Sequence, residues 1–207
     1  TILKNYYKEE KIIKTNGYII AEGTNPICLL AHMDTVFDHQ PRELLYDKEK
    51  NVLWSPYGAG FDDKIGLWLI IKILSKGYKP SIILTIGEEL GGIGAKQLIK
   101  DIPECPFKDC RALIQLDRAN EKDSVYYNCD NKDFEKYINS FGFETKQGTF
   151  TDIGFIAPTW KIAAVNLSIG YVDEHTVNER VYLNWSEETL IKVCEILNKA
   201  EDILIGL

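Results

Sequence analysis

Residues 26–34 read PICLLAHMD, a near-continuous apolar run that ends on His32 and Asp34. An apolar run without polar alternation marks a strand buried on both faces, as in parallel sheets covered by helices. One of only three histidines in the chain therefore stands where a buried strand ends, two residues before an aspartate. A lone His-x-Asp ordinarily closes a strand and opens a turn, so its meaning depends on how the other strands end.

Before this run, KIIKTNGYIIAEG (11–23) places an Asn-Gly turn between two β-rich segments and predicts a hairpin; ELLYDKEKNVLWSP (43–56) predicts a second. DKIGLWLIIKILSK (63–76) has helical length, opens on an acid and stops before Gly77. Beyond it, strands are predicted at SIILTIG (81–87), RALIQLD (111–117), SVYYNC (124–129) and KIAAVNLSIG (161–170). Helices are predicted at GIGAKQLIKDI (92–102) and DFEKYINSFG (133–142), with a closing amphipathic helix over 186–204. Strands alternating with helices predict an α/β fold, a mostly parallel central sheet with helices on both faces. No internal repeat or low-complexity segment interrupts the pattern.

The 207 residues, 45% of them hydrophobic, suit one domain spanning 1–207. A net charge of -7, without a Lys/Arg cluster to offset it, argues against a nucleic-acid partner, because phosphates would be repelled. No stretch approaches the roughly eighteen apolar residues of a membrane span, and the first residues carry no signal-peptide pattern. The expectation is a soluble, cytoplasmic protein with no membrane partner. Cys28, Cys105, Cys110, Cys129 and Cys194 are an odd number, two of them in apolar segments, and are expected reduced. CPFKDC (105–110) could clip a loop or hold a metal, but it lacks a second ligand pair.

The acids fall where strands end: CLLAHMD, YGAGFDDK, ILTIGEEL, LIQLDR, and GYVDEHTVNE after the last strand. In open α/β sheets ligands bind beyond the carboxyl ends of the strands, so parallel strands would bring His32, Asp62, Glu89, Asp117 and His175 together. Three carboxylates meeting without cations repel one another. Two histidines and three carboxylates match two divalent ions sharing a bridging carboxylate, with zinc favoured and cobalt or manganese close behind. Two ions about 3.5–4 Å apart can bind a hydroxide and polarise a carbonyl, which is the chemistry of a peptide or amide hydrolase. Of the adjacent Glu88 and Glu89, only one need bind metal, leaving the other to face the attacking water. Asp34, on the same side of an extended chain as His32, can orient its imidazole.

These segments together resemble the co-catalytic zinc exopeptidase superfamily, which includes bacterial aminopeptidases, tripeptidase T and acetylornithine-deacetylase-like amidohydrolases. The likeness runs from about Gly17 to Leu183 and rests on AHMDTV, GAGFDDKIG, GEELGG, QLD and GYVDEHTVNERV in that order. It implies that Asp62 bridges the ions, that His32 and Asp117 complete one site, and that Glu89 and His175 complete the other. Glu88 becomes the general base and Asp34 the partner of His32. It also makes Asp62-Asp63 a candidate cis peptide and places Thr151 and Asp152, in GTFTDIGF, on the substrate side; read without it, those two residues are a polar helix start.

About thirty residues join Asp117 to Gly148, too few for the lid and dimerisation domain of two-domain relatives. This puts the chain nearer single-domain aminopeptidases acting on small peptides; an amidohydrolase, deacylase or carboxypeptidase of the same superfamily, or a peptide-binding member without turnover, are the alternatives. A homo-oligomer could complete an open site. His39, in the turn DHQP, is a poor substitute for a lid histidine, and Tyr126, Tyr127 and Tyr171 are possible oxyanion donors or packing residues. Trp54, Trp68, Trp160 and Trp185 are expected to cover the core. GAGF (58–61) is no phosphate loop, since Gly-Lys-Ser/Thr does not follow.

Overall fold

The computed structural model describes residues 2–127 and 131–202. Cys129, the end of the strand expected over 124–129 and the last two residues of the closing helix lie outside them. In chain order the elements are β1 (Ile12–Lys14), β2 (Tyr18–Ala21), β3 (Asn25–His32), β4 (Leu45–Asp47), β5 (Val52–Trp54), α1 (Phe61–Ser75), β6 (Pro80–Thr85), α2 (Ile93–Asp101), β7 (Ala112–Arg118) and β8 (Asp123–Val125). Then come α3 (Lys132–Asn139), β9 (Glu144–Thr145), α4 (Ile153–Trp160), β10 (Ala163–Ser168), β11 (Tyr171–Val172), β12 (Arg180–Tyr182) and α5 (Leu183–Asn198).

The main sheet runs β1-β2-β6-β3-β7-β10-β8-β9. Its four central strands, β6, β3, β7 and β10, are parallel, with antiparallel pairs flanking them. Side chains alternate across β3 as a pleated strand requires. Ile27, Leu29 and Ala31 join the core under α1, α3 and α5, whereas Cys28 and Leu30 join the core under α2 and α4. Each fully buried leucine or isoleucine contributes about 1.5–3 kcal/mol relative to exposure, which is why the apolar run continues until the sheet ends at His32. The chain leaves β3 through α1 for β6 on one side, then crosses back through α2 to β7 on the other. This reversal opens the crevice at the carboxyl ends of β3 and β7.

Three features depart from the sequence reading. The 43–56 hairpin does not stand alone: β11 and β12 extend it into a second antiparallel sheet, β11-β12-β5-β4, in which Arg180 pairs with Trp54. The loop from β11 to β12, carrying His175, is thereby clamped over the crevice. α4, announced only by the alternative reading of Thr151 and Asp152 as a polar helix start, is a full helix with Pro158 inside it. Finally, Asp62 (φ -76°, ψ 107°) and Asp63 (φ -113°, ψ 40°) lack helical geometry, so regular α1 begins one residue later than expected. The Asp62-Asp63 peptide is cis.

Gly66 lets α1 lie against β7: a Cβ there would sit 2.0 Å from the Leu116 carbonyl oxygen and 2.3 Å from Asp63 Oδ1. Cys28, Cys105, Cys110 and Cys194 form no disulfide among the described residues. Among the described residues, no helix is long and apolar enough to cross a membrane.

Candidate metal centre

His32 is the last residue of β3, almost fully buried, and its two ring nitrogens face different partners. Nε2 lies 3.0 Å from Asp62 Oδ1 and 3.3 Å from Asp117 Oδ1, at the end of β7. Nδ1 lies 3.4 Å from Asp34 Oδ1, within ion-pair range but too poorly aligned for a hydrogen bond. Asp62 is divided in the same way: its Oδ2 is 3.2 Å from His175 Nε2, which is also 2.9 Å from Glu89 Oε2. Two three-residue sets therefore meet at one carboxylate: His32, Asp62 and Asp117, and Asp62, Glu89 and His175. In each, one donor atom per residue lies within 4.8 Å of the others.

The backbone beneath is held by carboxylates. Asp34 accepts from the amides of Glu88 (3.3 Å) and Glu89 (3.2 Å), tying the loop after β6 to the end of β3. Buried Asp63 accepts from the amides of His32 (3.1 Å) and Gly66 (2.9 Å). Glu179, with no exposed surface, accepts from the amides of Phe61 (2.8 Å) and Asp62 (3.0 Å). Gln115 Nε2 (2.7 Å) and Thr151 Oγ1 (3.0 Å) donate to Asp117 Oδ2, while the Asp117 amide donates to Asn166 Oδ1 at 3.1 Å.

The electrostatics mark a place for positive charge. Burial, then the Asp117 carboxylate, pushes Glu88 up to about 9. Burial, then Asp62, pushes Glu89 up to about 7, and burial raises Asp117 to about 7. Burial also works against Asp62, but the hydrogen bonds of His175 and His32 outweigh it and hold the group below the usual carboxylate range. The bond to Asp62 lifts His175 to about 9. For His32, burial is outweighed by Asp117, Asp34 and Asp62, and the value rises well above the ordinary imidazole range. Buried Glu89 Oε1 has no hydrogen-bond partner among the described residues. Facing carboxylates, imidazoles between them and an orphaned acceptor are a donor set that fits divalent cations.

Beside the two sets lies a cavity of about 390 Å³, lined by members of both together with Glu88. That volume is in the usual range for a small-molecule ligand. Solved structures share this arrangement of elements. An aminopeptidase, PepT, from Bacillus cereus superposes with a TM-score of 0.74 at 14% identity, over 92% of this chain and 88% of that one. A TET aminopeptidase from a marine-sediment archaeon of the Thaumarchaeota gives 0.70 at 12%, over 97% and 91%. A tripeptidase from Staphylococcus aureus gives 0.69 at 16%, over 89% and 84%.

The chain has the fold of these peptidases. No protein-family model and no curated protein matches the sequence, and at these identities the likeness is one of fold. The α/β architecture expected from the strand pattern, and the resemblance to an exopeptidase fold, are borne out at that level.

Within this peptidase fold the seven residues assigned above to metal, base and orientation come together around one crevice. Thr151 and Asp152 are not among the residues lining the cavity, where the resemblance puts them, and stand instead at the start of α4, their alternative reading. The hydroxyl of Thr151 is turned inward to Asp117, and Asp152, at the N-cap of α4, accepts from Thr85 Oγ1. The wall there is made by Thr149 and Phe150. Tyr171 donates to the Asp117 carbonyl oxygen at 2.9 Å, Tyr126 lies outside the lining, and Tyr127 lines the cavity. His39 is exposed against the Tyr57 carbonyl oxygen, and no tryptophan borders the cavity. The sequence reading gave no role to Glu179 or Gln115. Gln115 carried a signal, being a polar residue inside an apolar strand, two positions from Asp117 and therefore on the same face of it. Glu179, between Asn178 and Arg180, carried none.

Proposed function

We propose that the chain is a metal-dependent exopeptidase that releases the amino-terminal residue of short peptides. The observation that carries this reading is the pair of three-donor sets sharing Asp62 at the mouth of a small-molecule cavity. His32, Asp62 and Asp117 would hold one divalent ion, and Asp62, Glu89 and His175 the other. Zinc suits the mixed imidazole and carboxylate donors best, with cobalt and manganese as substitutes. When bound, the ions supply Lewis acidity to water and to the scissile carbonyl.

The chain's own groups account for the rest. Glu88 lines the cavity without belonging to either set; with bound cations offsetting the Asp117 charge that helps to raise it, its carboxylate can take a proton from the attacking water and return it to the departing amine. Asp34, with its carboxylate 3.4 Å from Nδ1, electrostatically favours the proton on that nitrogen, so that Nε2 presents its lone pair to the centre. Its two bonds to the Glu88 and Glu89 amides fix the base relative to the ligands. Glu174 lines the cavity next to His175 and makes no hydrogen bond or ion pair with any described residue, which favours a free amino terminus in the substrate.

Metal content of protein purified without chelator tests the reading first: about two equivalents per chain are expected, falling in His32→Ala and Asp62→Ala. Glu88→Gln should retain the metal and lose about 10²–10⁴ in kcat. Free-amine peptides should be cleaved and their N-acetyl forms left intact. Absence of metal after zinc addition, or full activity in Glu88→Gln, would remove the proposal.

A further inference from the structure

The cavity has one feature that its acid-rich lining does not require. Arg118, which follows Asp117 at the end of β7, is the only permanently charged cation in the described lining, against Asp62, Glu88, Glu89, Asp117 and Glu174. Were its purpose to neutralise those acids, it would pair with one of them. Instead it pairs with an acid outside the lining: Nε and Nη2 each approach Asp123 Oδ2 at 3.4 Å. The holder is itself fixed, since Asp123 Oδ2 accepts from Asn120 Nδ2 at 3.2 Å and the Asp123 amide donates to Ser168 Oγ at 2.9 Å. Nη1 makes no hydrogen bond with a described residue, and the side chain keeps 27% of its surface open. A guanidinium held through Nε and Nη2, in a residue that lines the cavity and with Nη1 left unpaired by the described residues, is preorganised for a planar anion. A mere brace between β7 and β8 would not need to border the cavity, and long, partly exposed ion pairs stabilise little.

We infer that Arg118 is the anion-recognising residue of this cavity and that its ligands carry a carboxylate placed to meet the guanidinium. The inference rests on the peptidase reading for the identity of the ligand. It deepens that reading by naming the substrate class: short peptides with a free carboxyl terminus within reach, or with an acidic first side chain. With Glu174 left for an ammonium group, the described lining offers complementary charges for both ends of a zwitterion. Asn166 and Thr149 add further polar residues to the lining.

Binding decides the matter without turnover. Zinc-loaded Glu88→Gln protein is titrated calorimetrically with Leu-Gly-Gly, Leu-Gly-Gly amide and Glu-Gly-Gly amide. A charged hydrogen-bond partner of this kind should favour the matching carboxylate by about tenfold or more over Leu-Gly-Gly amide. Preference for Leu-Gly-Gly assigns the terminal carboxylate, and preference for Glu-Gly-Gly amide assigns the side chain. In Arg118→Met the preference should vanish while the affinity for Leu-Gly-Gly amide holds, and Arg118→Lys should restore part of it. Equal binding of all three peptides, no binding of any, or a preference that survives Arg118→Met overturns the inference. If Arg118→Met does not fold, the comparison of peptides on the Arg118-bearing protein still decides. A carboxylate preference without hydrolysis by the metal-loaded Glu88 enzyme would sink the peptidase reading and leave Arg118 in its role.

Discussion

Replacing Glu179 by alanine should damage both ion sites at once, although Glu179 belongs to neither. Its carboxylate is fully buried and its two oxygens receive the amides of Phe61 and Asp62 at 2.8 and 3.0 Å. Alanine leaves both donors buried and unpaired, at about 1–3 kcal/mol each. Part of this is offset because the buried carboxylate, which burial holds above its ordinary pKa, no longer has to be desolvated. A net loss of about 2–4 kcal/mol is the result expected from guanidinium unfolding in EDTA. Glutamine keeps one acceptor but turns an amide donor toward the other N–H, so about 1–3 kcal/mol is expected. Because Asp62 serves both donor sets, loosening its backbone should weaken both zinc affinities, each by about 10–100-fold. An unfolding midpoint within about 0.5 kcal/mol of the parent would refute the magnitude. Lost stability with unchanged affinities would refute the link through Asp62.

Thr151→Val removes one of two side-chain donors to Asp117 Oδ2, so only the His32, Asp62 and Asp117 set should weaken, by about tenfold in a metal titration. Gly66→Ala forces a methyl onto the Leu116 carbonyl oxygen and should cost about 1–3 kcal/mol or more, read as a lowered Tm. Metal-free protein should lose stability between pH 5 and pH 9. Glu88, Glu89 and Asp117 titrate near 9, 7 and 7 when folded, above their unfolded values, so the unfolded chain sheds those protons first as pH rises. His175, raised to about 9, adds stability that is complete below its unfolded pKa and likewise lost on the way up. Asp62 and Asp34, both lowered, act oppositely, and their contribution disappears only in acid. A Tm in EDTA that stays flat or rises across this range would contradict the account.

The sheet was legible because its parallel strands are long and uninterrupted, and the candidate ligands were legible because they are what stops them. His32, Asp117 and the Glu88-Glu89 pair all mark the point where apolar sequence meets the crevice. His175 was found through its segment, yet β11 and β12, which carry its loop, were missed because two or three residues hold no periodicity. Pro158 and the aromatic residues of IGFIAPTW disguised α4. That helix starts beside Thr151 and Asp152, as the reading of those two residues as a polar helix start has it, and its start sets the direction of their side chains. Glu179 lies furthest from sequence reasoning: an acid between polar neighbours reads as exposed, and only the tertiary fold buries it against the amides of Phe61 and Asp62.

The ends of the eight-stranded sheet carry a consequence of their own. At one margin β1 is three residues long and largely exposed, with Lys14 at its end; at the other β9 is two exposed residues, with Lys146 paired to Glu144. Short, charged margins offer little backbone on which a further strand could be laid. The fold thus guards against ribbon-like growth from strand to strand. A peptide or a second copy of the chain approaching it would be met by side chains and loops, with the ladder of amides and carbonyls left out of reach.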